Sequence, residues 1–290
     1  MPGYEFQLES KLLEEAPGLH QVFSDNVLAC QNMLIKYKSL FPNYTDHTVL
    51  HSLEVIAFCN ELIGDNIRLL NADEIFILLM AAYLHDSGMG INKRDYEMFL
   101  DEVPGAKAYR DAHPEESLSD IVRIFHNEFS GCYIRKYAQI FDFPSEKHLF
   151  AVIEVSRGHR KTDLFDEVQY PASFTLENGN EVRLPYLTAL MRLADELDIA
   201  ADRNIQFTYS LDRITSEAGR REFRKHKAIR QLEIACDRFI VHLDDSDIEI
   251  RNDLKELFRK LQSTLEYCCR VVKERTPFTI GQTSIEIIKE

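Results

Sequence analysis

The sequence predicts a mainly α-helical protein with a small α+β appendage at its C-terminal end. Apolar residues recur at helical spacing through most of 1–203, whereas several short alternating, strand-like segments appear beyond it. One exception is a β-hairpin insertion expected near 174–184, where Asn178-Gly179 separates two short alternating segments. We therefore expect a helical domain over 1–203 and an α+β appendage over 204–290.

The helices follow from apolar periodicity, end-capping residues and glycine or proline breaks. In the first region they are expected over 8–16, 21–40, 47–64, 73–86, 118–141, 146–157 and 186–201. The polar segment 91–117 contains two prolines and a glycine, and it is expected to form a mobile lid with a short helix. In the appendage, strands are expected over 207–210, 231–236, 239–243 and 283–290, and helices over 216–228 and 247–274.

Composition excludes some classes of function. The chain has 290 residues, is 45% hydrophobic and carries a formal charge of -14. This charge argues against binding to duplex DNA or anionic membranes, although a bound metal can reverse the local sign. The N-terminus lacks the pattern of a secretory signal, and the apolar run from Ile75 to Leu84 is too short to span a bilayer. The six cysteines include no C-x-x-C pair, so we expect reduced thiols in a cytoplasmic protein.

The strongest functional signal is a His-Asp doublet at the end of the apolar run. The segment I-F-I-L-L-M-A-A-Y-L ends in His85 and Asp86, which should lie at the edge of a core. An unpaired carboxylate there is costly to desolvate, so a basic side chain or a metal ion must compensate Asp86. His51 and Asp195 lie on two other predicted apolar helices. Three helices that direct His or Asp inward favour the metal, since imidazole and carboxylate suit divalent cations.

The segments around these residues resemble the HD superfamily of metal-dependent phosphohydrolases. The matching motifs are H-S-L-E-V, Y-L-H-D-S-G-M and L-M-R-L-A-D-E-L-D. The runs F-P-N-Y-T-D-H-T-V-L-H-S, V-S-R-G-H-R and R-L-A-D-E-L-D-I-A-A-D-R are similar to one branch, the HD domain found alone or beside Hsp90-like ATPases in bacteria. The resemblance covers roughly 30–205 and implies an HD-type helical core.

The resemblance also implies a metal site with one or two divalent ions, from among Mn, Mg, Fe, Co, Ni and Zn. The first ion would be held by His51, His85, Asp86 and Asp195. The second would be held by Asp86, which bridges both ions, together with His126 and His159. The alternative for His126 and His159 is that both are surface or helix-capping histidines.

Catalytic roles are expected for His47, Asp86 and His126. His47 lies one turn before His51, and its alternatives are a substrate-binding or supporting role and a bland capping role. Glu54 follows on the same face and either orients His51, as supporting carboxylates do, or is solvated.

Two further aspartates, Asp198 and Asp202, follow the last predicted ligand by about one and two turns. They are interpreted as structural residues that bond Arg203 or a backbone amide.

Basic residues near the predicted ligands are candidates for substrate binding, because guanidinium groups suit phosphate oxygens. The candidates are Arg157, Arg160, Lys161 and Arg192. The alternative for each one is a surface ion pair in an acidic protein. Lys93 and Arg94 begin the expected lid and are further candidates for contact with an anion.

The resemblance implies hydrolysis of a phosphoester or phosphoanhydride, most simply in a nucleotide, by water that a metal activates. Three alternatives stay open: oxygenation by a di-iron site, sensing of a nucleotide without turnover, and a role as partner of a chaperone-like ATPase that docks on 204–290. The expected partners are therefore a small phosphorylated substrate and such an ATPase, with a second copy of the chain as a further candidate.

Overall fold

The computed structural model describes residues 7–34, 40, 49–199 and 217–290, which are mainly helical. Its helices are α1 (Gln7–Glu15), α2 (Pro17–Leu34), α3 (Val49–Ile63), α4 (Ala72–Leu84), α5 (Lys93–Glu102), α6 (Pro104–Ala112), α7 (Leu118–Lys136), α8 (Glu146–Arg157), α9 (Leu184–Leu197), α10 (Glu217–Ala228) and α11 (Arg251–Arg275). The strands are β1 (Phe174–Thr175), β2 (Glu181–Val182), β3 (Ile229–Ile234), β4 (Arg238–Leu243) and β5 (Ser284–Lys289). The predicted fold class is confirmed for these residues.

Helix α4 is the centre of the helical region. Every residue from Asp73 to Leu84 is buried, and α1, α2, α3, α8 and α9 pack around the helix. Its start is fixed by Asn71, whose side chain accepts a hydrogen bond from the backbone N–H of Glu74 while the Glu74 carboxylate accepts one from Asn71. The helix ends at Leu84, so the His-Asp doublet lies just past its C-terminal end.

The expected lid with one short helix is instead a pair of helices, α5 and α6. Asn92 caps α5 by accepting a hydrogen bond from the backbone N–H of Asp95. Tyr96, Phe99 and Ala106 are buried, and both helices contact α7. The prediction was wrong here because the polar residues form the solvent faces of two amphipathic helices, and their apolar residues are too few to dominate the composition.

The predicted β-hairpin is confirmed. Strands β1 and β2 are antiparallel, with Phe174 opposite Val182. Gly179 has φ 86°, a left-handed conformation that favours glycine. The hairpin is anchored to the N-terminal end of α4, because the side-chain amides of Asn178 and Asn180 donate to Asp73 Oδ2 at 3.0 and 2.6 Å.

The appendage contains a three-stranded sheet in the order β3-β4-β5, antiparallel between β3 and β4 and parallel between β4 and β5. Helix α11 packs along α9 and buries Leu261, Leu265 and Cys268. The strand expected over 207–210 lies outside the described residues. The domain boundary at 203 stays a prediction, and the contact of α11 with α9 joins the appendage closely to the helical region.

No single helix in the described ranges is long and apolar enough to cross a membrane. The pair Ala72–Gly90 and Lys93–Glu102 meets that test together by length and composition, with a bend of 108° between its parts.

Candidate metal centre

The structure brings together all six residues that the sequence predicts as metal ligands. His51 lies on α3, the His85-Asp86 doublet follows α4, and Asp195 lies on α9. The remaining two are His126 on α7 and His159 just after α8. They form two groups, one containing His51, His85 and Asp195 and the other containing Asp86, His126 and His159, and each group can hold a metal ion.

In the first group the donor atoms lie at the mutual distances that a shared ion requires. His51 Nε2 lies 3.0 Å from His85 Nε2 and 3.3 Å from Asp195 Oδ1, and His85 Nε2 lies 3.6 Å from the same oxygen. Asp86 Oδ2 lies 3.6 and 3.4 Å from the two nitrogens. Ligands that are each about 2.1 Å from one divalent ion lie roughly 3.0–3.5 Å apart at octahedral or tetrahedral angles. The four residues therefore fit a metal ion.

The second group uses the other oxygen of Asp86. Asp86 Oδ1 lies 3.3 Å from His126 Nε2 and 3.8 Å from His159 Nε2, and these nitrogens are 2.9 Å apart. The two carboxylate oxygens of Asp86 thus face different histidine pairs. Asp86 would therefore be able to offer one oxygen to an ion in each group.

Three of the four histidines are held by backbone carbonyl groups three residues earlier. The bonds join Nδ1 of His85 to the carbonyl of Ala82 (3.0 Å), His126 to Arg123 (2.8 Å) and His159 to Ser156 (2.5 Å). A carbonyl oxygen only accepts, so Nδ1 donates and Nε2 of each ring faces the centre, where it presents a lone pair when the ring is neutral. His126 was also predicted to be catalytic, but both of its ring nitrogens are engaged, which favours the ligand role.

The fourth histidine, His51, is held by a carboxylate. Asp198 Oδ2 lies 2.5 Å from His51 Nδ1, and both residues are buried. The sequence suggested Glu54 for this role and did not connect Asp198 with His51. The available signal was spacing, because Asp198 follows the inward-facing Asp195 by three residues and so lies near the same face.

Burial and charge set the protonation of these rings. Burial lowers the pKa of His126 to about 4 and that of His159 well below its ordinary value, so both rings are neutral. Burial also acts to lower the pKa of His85, but the carboxylates of Asp86 and Asp195 outweigh it and raise that pKa to about 10. The carboxylates of Asp86 and Asp195 therefore stabilise a positive charge between them. A divalent cation supplies this charge without a proton on His85.

The nitrogen pairs give a second test of fit. His51 Nε2 and His85 Nε2 face each other, as do His126 Nε2 and His159 Nε2. His126 and His159 are both neutral and donate through Nδ1, so their Nε2 lone pairs face each other at 2.9 Å, which is unfavourable. A cation shared by this pair removes that repulsion. At the first pair the carboxylates that raise the pKa of His85 favour a positive charge, so the donor set fits a metal ion at both places.

A close approach between the doublet and α7 fixes the position of Asp86. The backbone N–H of Gly88 donates to Ser130 Oγ at 2.8 Å, and the Ser130 hydroxyl donates to the His85 carbonyl at 2.5 Å. A Cβ on Gly88 would lie 2.3 Å from the carbonyl oxygen of His126. Only glycine allows this close approach.

The predicted substrate-binding arginines have different surroundings. Arg157 donates to Glu128 at 2.7 Å and to Glu154 at 2.9 Å, as in the ion-pair alternative. Arg160 is partly exposed. Burial is the largest cause of the lowered pKa of His126, and the positive charge of Arg160 also lowers it, so Arg160 lies near the second group. Both assignments stay predictions.

Arg192 is buried and donates to the carbonyls of Gly158 and Thr162, both at 2.8 Å. Lys161, which directly precedes Thr162, is exposed. Their substrate-binding roles stay predictions. His47, expected to be catalytic, lies outside the described residues.

The HD-CE family model matches residues 41–277. The match includes all six residues of the centre and most of the appendage. No protein among the curated ones matches the chain.

Proposed function

We propose that this chain, which belongs to the HD-CE family, hydrolyses a phosphoester or phosphoanhydride bond of a nucleotide. The family and the buried His/Asp groups together indicate an HD-type metal-dependent hydrolase. The observation that supports a two-ion phosphohydrolase is the placement of Asp86, whose oxygens Oδ1 and Oδ2 face separate histidine pairs.

Divalent cations in such a centre supply Lewis-acid chemistry, because they lower the pKa of water and draw negative charge from phosphoryl oxygens. The protein supplies rigidity. Backbone carbonyls fix three imidazoles, Asp198 fixes His51, and Ser130 holds the doublet against α7. Donors fixed in this way avoid the cost of rearranging during the reaction.

The charges around the centre support an anionic substrate. The chain as a whole carries -14, yet Arg160, Lys161 and Arg192 all lie within three residues of a ligand, His159 or Asp195. A guanidinium or ammonium group there can bind phosphoryl oxygens that the overall charge would repel.

A screen of the full chain tests this function. Nucleoside mono-, di- and triphosphates, cyclic nucleotides and short oligonucleotides are incubated with Mn, Mg, Co or Ni, and the nucleotide and nucleoside products are separated by chromatography, with phosphate and pyrophosphate measured alongside. We expect turnover of at least one class by the wild type and none by Asp86→Ala. A wild type that retains its metal but turns over none of these compounds would refute the proposal. Oxygen consumption by the iron-loaded chain without phosphate release would favour the oxygenase alternative.

A further inference from the structure

A cleft of about 390 Å³ opens between α9, α11 and the loop that follows α8. Three cationic side chains line it, Lys161, Arg192 and Lys260, and Lys260 forms an ion pair with Glu196 at 2.7 Å. One carboxylate, that of Asp163, is also in the lining, where it accepts hydrogen bonds from the Tyr267 hydroxyl at 2.9 Å and the backbone N–H of Phe165 at 3.0 Å. Three cations thus face two carboxylates, Asp163 and Glu196, so the cleft keeps a net positive charge in a protein whose overall charge is strongly negative.

The cleft adjoins the metal centre through α9 and the loop. Arg192 lies one helical turn before Asp195 and donates through Nε to the carbonyl of Gly158, which directly precedes His159. The Asp195 side chain is 16% exposed, whereas the other five ligands are at most 7% exposed. The centre is thus most accessible at Asp195, about one helical turn, roughly 5 Å along the axis, from the residue that lines the cleft.

The hydrogen-bond partners of Arg192 do not neutralise its positive charge. Its Nε and Nη2 donate to the Gly158 carbonyl, the Thr162 carbonyl and the Thr162 hydroxyl, which are all neutral. Among the described residues no carboxylate forms an ion pair with it. A buried guanidinium held by neutral acceptors is well suited to an anion that approaches from the cleft.

The remaining lining favours a phosphate over a nucleobase. Four hydroxyl groups lie in the lining, and those of Ser263 and Tyr267 already donate to the Arg259 carbonyl and to Asp163. The hydroxyls of Thr162 and Thr264 can still donate to phosphate oxygens. The Tyr267 ring, which a base would need for stacking, already contacts Phe165 with centroids 5.8 Å apart and the guanidinium of Arg192 at 5.3 Å.

We propose that this cleft binds a phosphate group of the substrate other than the one at the metal centre. The substrate then carries at least two phosphate groups, as nucleoside di- and triphosphates do, and α11 of the appendage forms one wall of the binding site. This inference rests on the proposed function and specifies its substrate class.

Binding measurements on the full chain test it with a charge placed inside or just outside the cleft. Ser263→Glu puts a negative charge on a lining residue, and Gln262→Glu puts the same charge on its neighbour, which does not line the cleft. The probes are the β,γ-methylene analogue of adenosine triphosphate and adenosine monophosphate, measured by calorimetry. Because both variants leave the metal centre intact, contributions of that centre are equal in all proteins.

We expect Ser263→Glu to weaken binding of the triphosphate analogue about tenfold or more, and Gln262→Glu to stay within about twofold of wild type. Adenosine monophosphate should bind all three proteins alike. Equal affinity of wild type and Ser263→Glu for the triphosphate analogue, or an equal loss in both variants, would overturn the inference.

A second pair of variants removes a positive charge. Lys260→Gln removes a lining cation and leaves the Glu196 carboxylate without this partner, whereas Lys255→Gln removes an exposed cation elsewhere on α11. We expect only Lys260→Gln to weaken binding of the triphosphate analogue. Equal effects of the two variants would contradict the proposal that the cleft binds a phosphate group. These results are independent of turnover. A chain that binds the analogue in the cleft but hydrolyses no phosphate compound would refute the proposed function alone, and turnover with unchanged binding in the cleft variants would refute the cleft alone.

Discussion

Asp198 Oδ2 lies 2.5 Å from His51 Nδ1, although 147 residues separate the two along the chain. His51 is thereby the member of the four histidines that a carboxylate orients, while the other three are held by backbone carbonyls. Since Asp195 is itself a candidate ligand, α9 and the residue after it provide both a ligand and the support for a ligand on α3. The first metal group therefore depends on the packing of α3 against α9.

Removal of the Asp198 carboxylate should weaken metal binding at the first group. Asp198→Ala leaves every ligand in place but frees the His51 ring to rotate, and loss of such a support typically costs about 10–100-fold in metal affinity. Competition with a fluorescent chelator measures the affinity, and Glu61→Ala, an exposed residue on the same helix as His51, is the control. A metal affinity for Asp198→Ala equal to that of the control would show that the contact has no role in binding.

Gly88→Ala should destabilise the fold through the contact between the doublet and α7. The added Cβ would lie 2.3 Å from the His126 carbonyl oxygen and 2.5 Å from the Ser130 backbone nitrogen. Both atoms are backbone, so the helix must shift, at a cost on the order of 1–3 kcal/mol. Urea unfolding measures the change in the free energy of unfolding.

Gly18→Ala is the matched control, because a Cβ at this helical position meets nothing within 4 Å. It should be neutral or stabilising by up to about 1 kcal/mol. If both substitutions change the free energy of unfolding alike, the close approach at Gly88 does not limit the fold.

Acid should weaken the anchor between α4 and the hairpin. Burial acts to raise the pKa of Asp73, but hydrogen bonds from His148, Asn180 and Asn178 outweigh it and lower that pKa to about 2. A carboxyl whose pKa is lower in the folded state stabilises the fold above its unfolded pKa, near 4, and loses this contribution as the pH falls towards 2. The contribution at neutral pH is about 2 kcal/mol.

Wild type and Asp73→Asn should therefore differ in free energy of unfolding near neutral pH and converge as the pH falls from about 4 towards 2. Urea unfolding at several pH values measures the difference. Asp65→Asn, at a side chain that is 99% exposed, should differ little from wild type throughout. A gap between wild type and Asp73→Asn that stays constant down to pH 2 would contradict the assignment.

The helical framework and four of the six candidate ligands were accessible from the sequence for a physical reason. These four, His51, His85, Asp86 and Asp195, lie in or beside apolar helices, where an isolated His or Asp needs compensation, and the doublet after Leu84 is the plainest case. His126 and His159 lie in more polar segments and were predicted only through the resemblance to the HD superfamily. The hairpin was accessible because Asn178-Gly179 requires a tight turn, and Gly179 indeed has a positive φ.

What the sequence could not provide were contacts between distant segments. The approach of Gly88 to Ser130 and the bond from Asp198 to His51 depend on how helices pack, which periodicity does not specify. The helices over 93–112 were underestimated because their buried residues, such as Phe99, are few and widely spaced. The cleft combines residues of the α8–α9 connection with Ser263 and Tyr267 of α11, and only packing of the appendage brings them together.

The metal content of the purified chain, after saturation with Mn and removal of free ions, tests most directly whether two cations share Asp86. We predict two ions per chain for wild type and for the control His242→Ala, one for His126→Ala and none for Asp86→Ala, with circular dichroism unchanged. A wild type that retains no metal, or an Asp86→Ala variant that retains as much as wild type, would contradict the account.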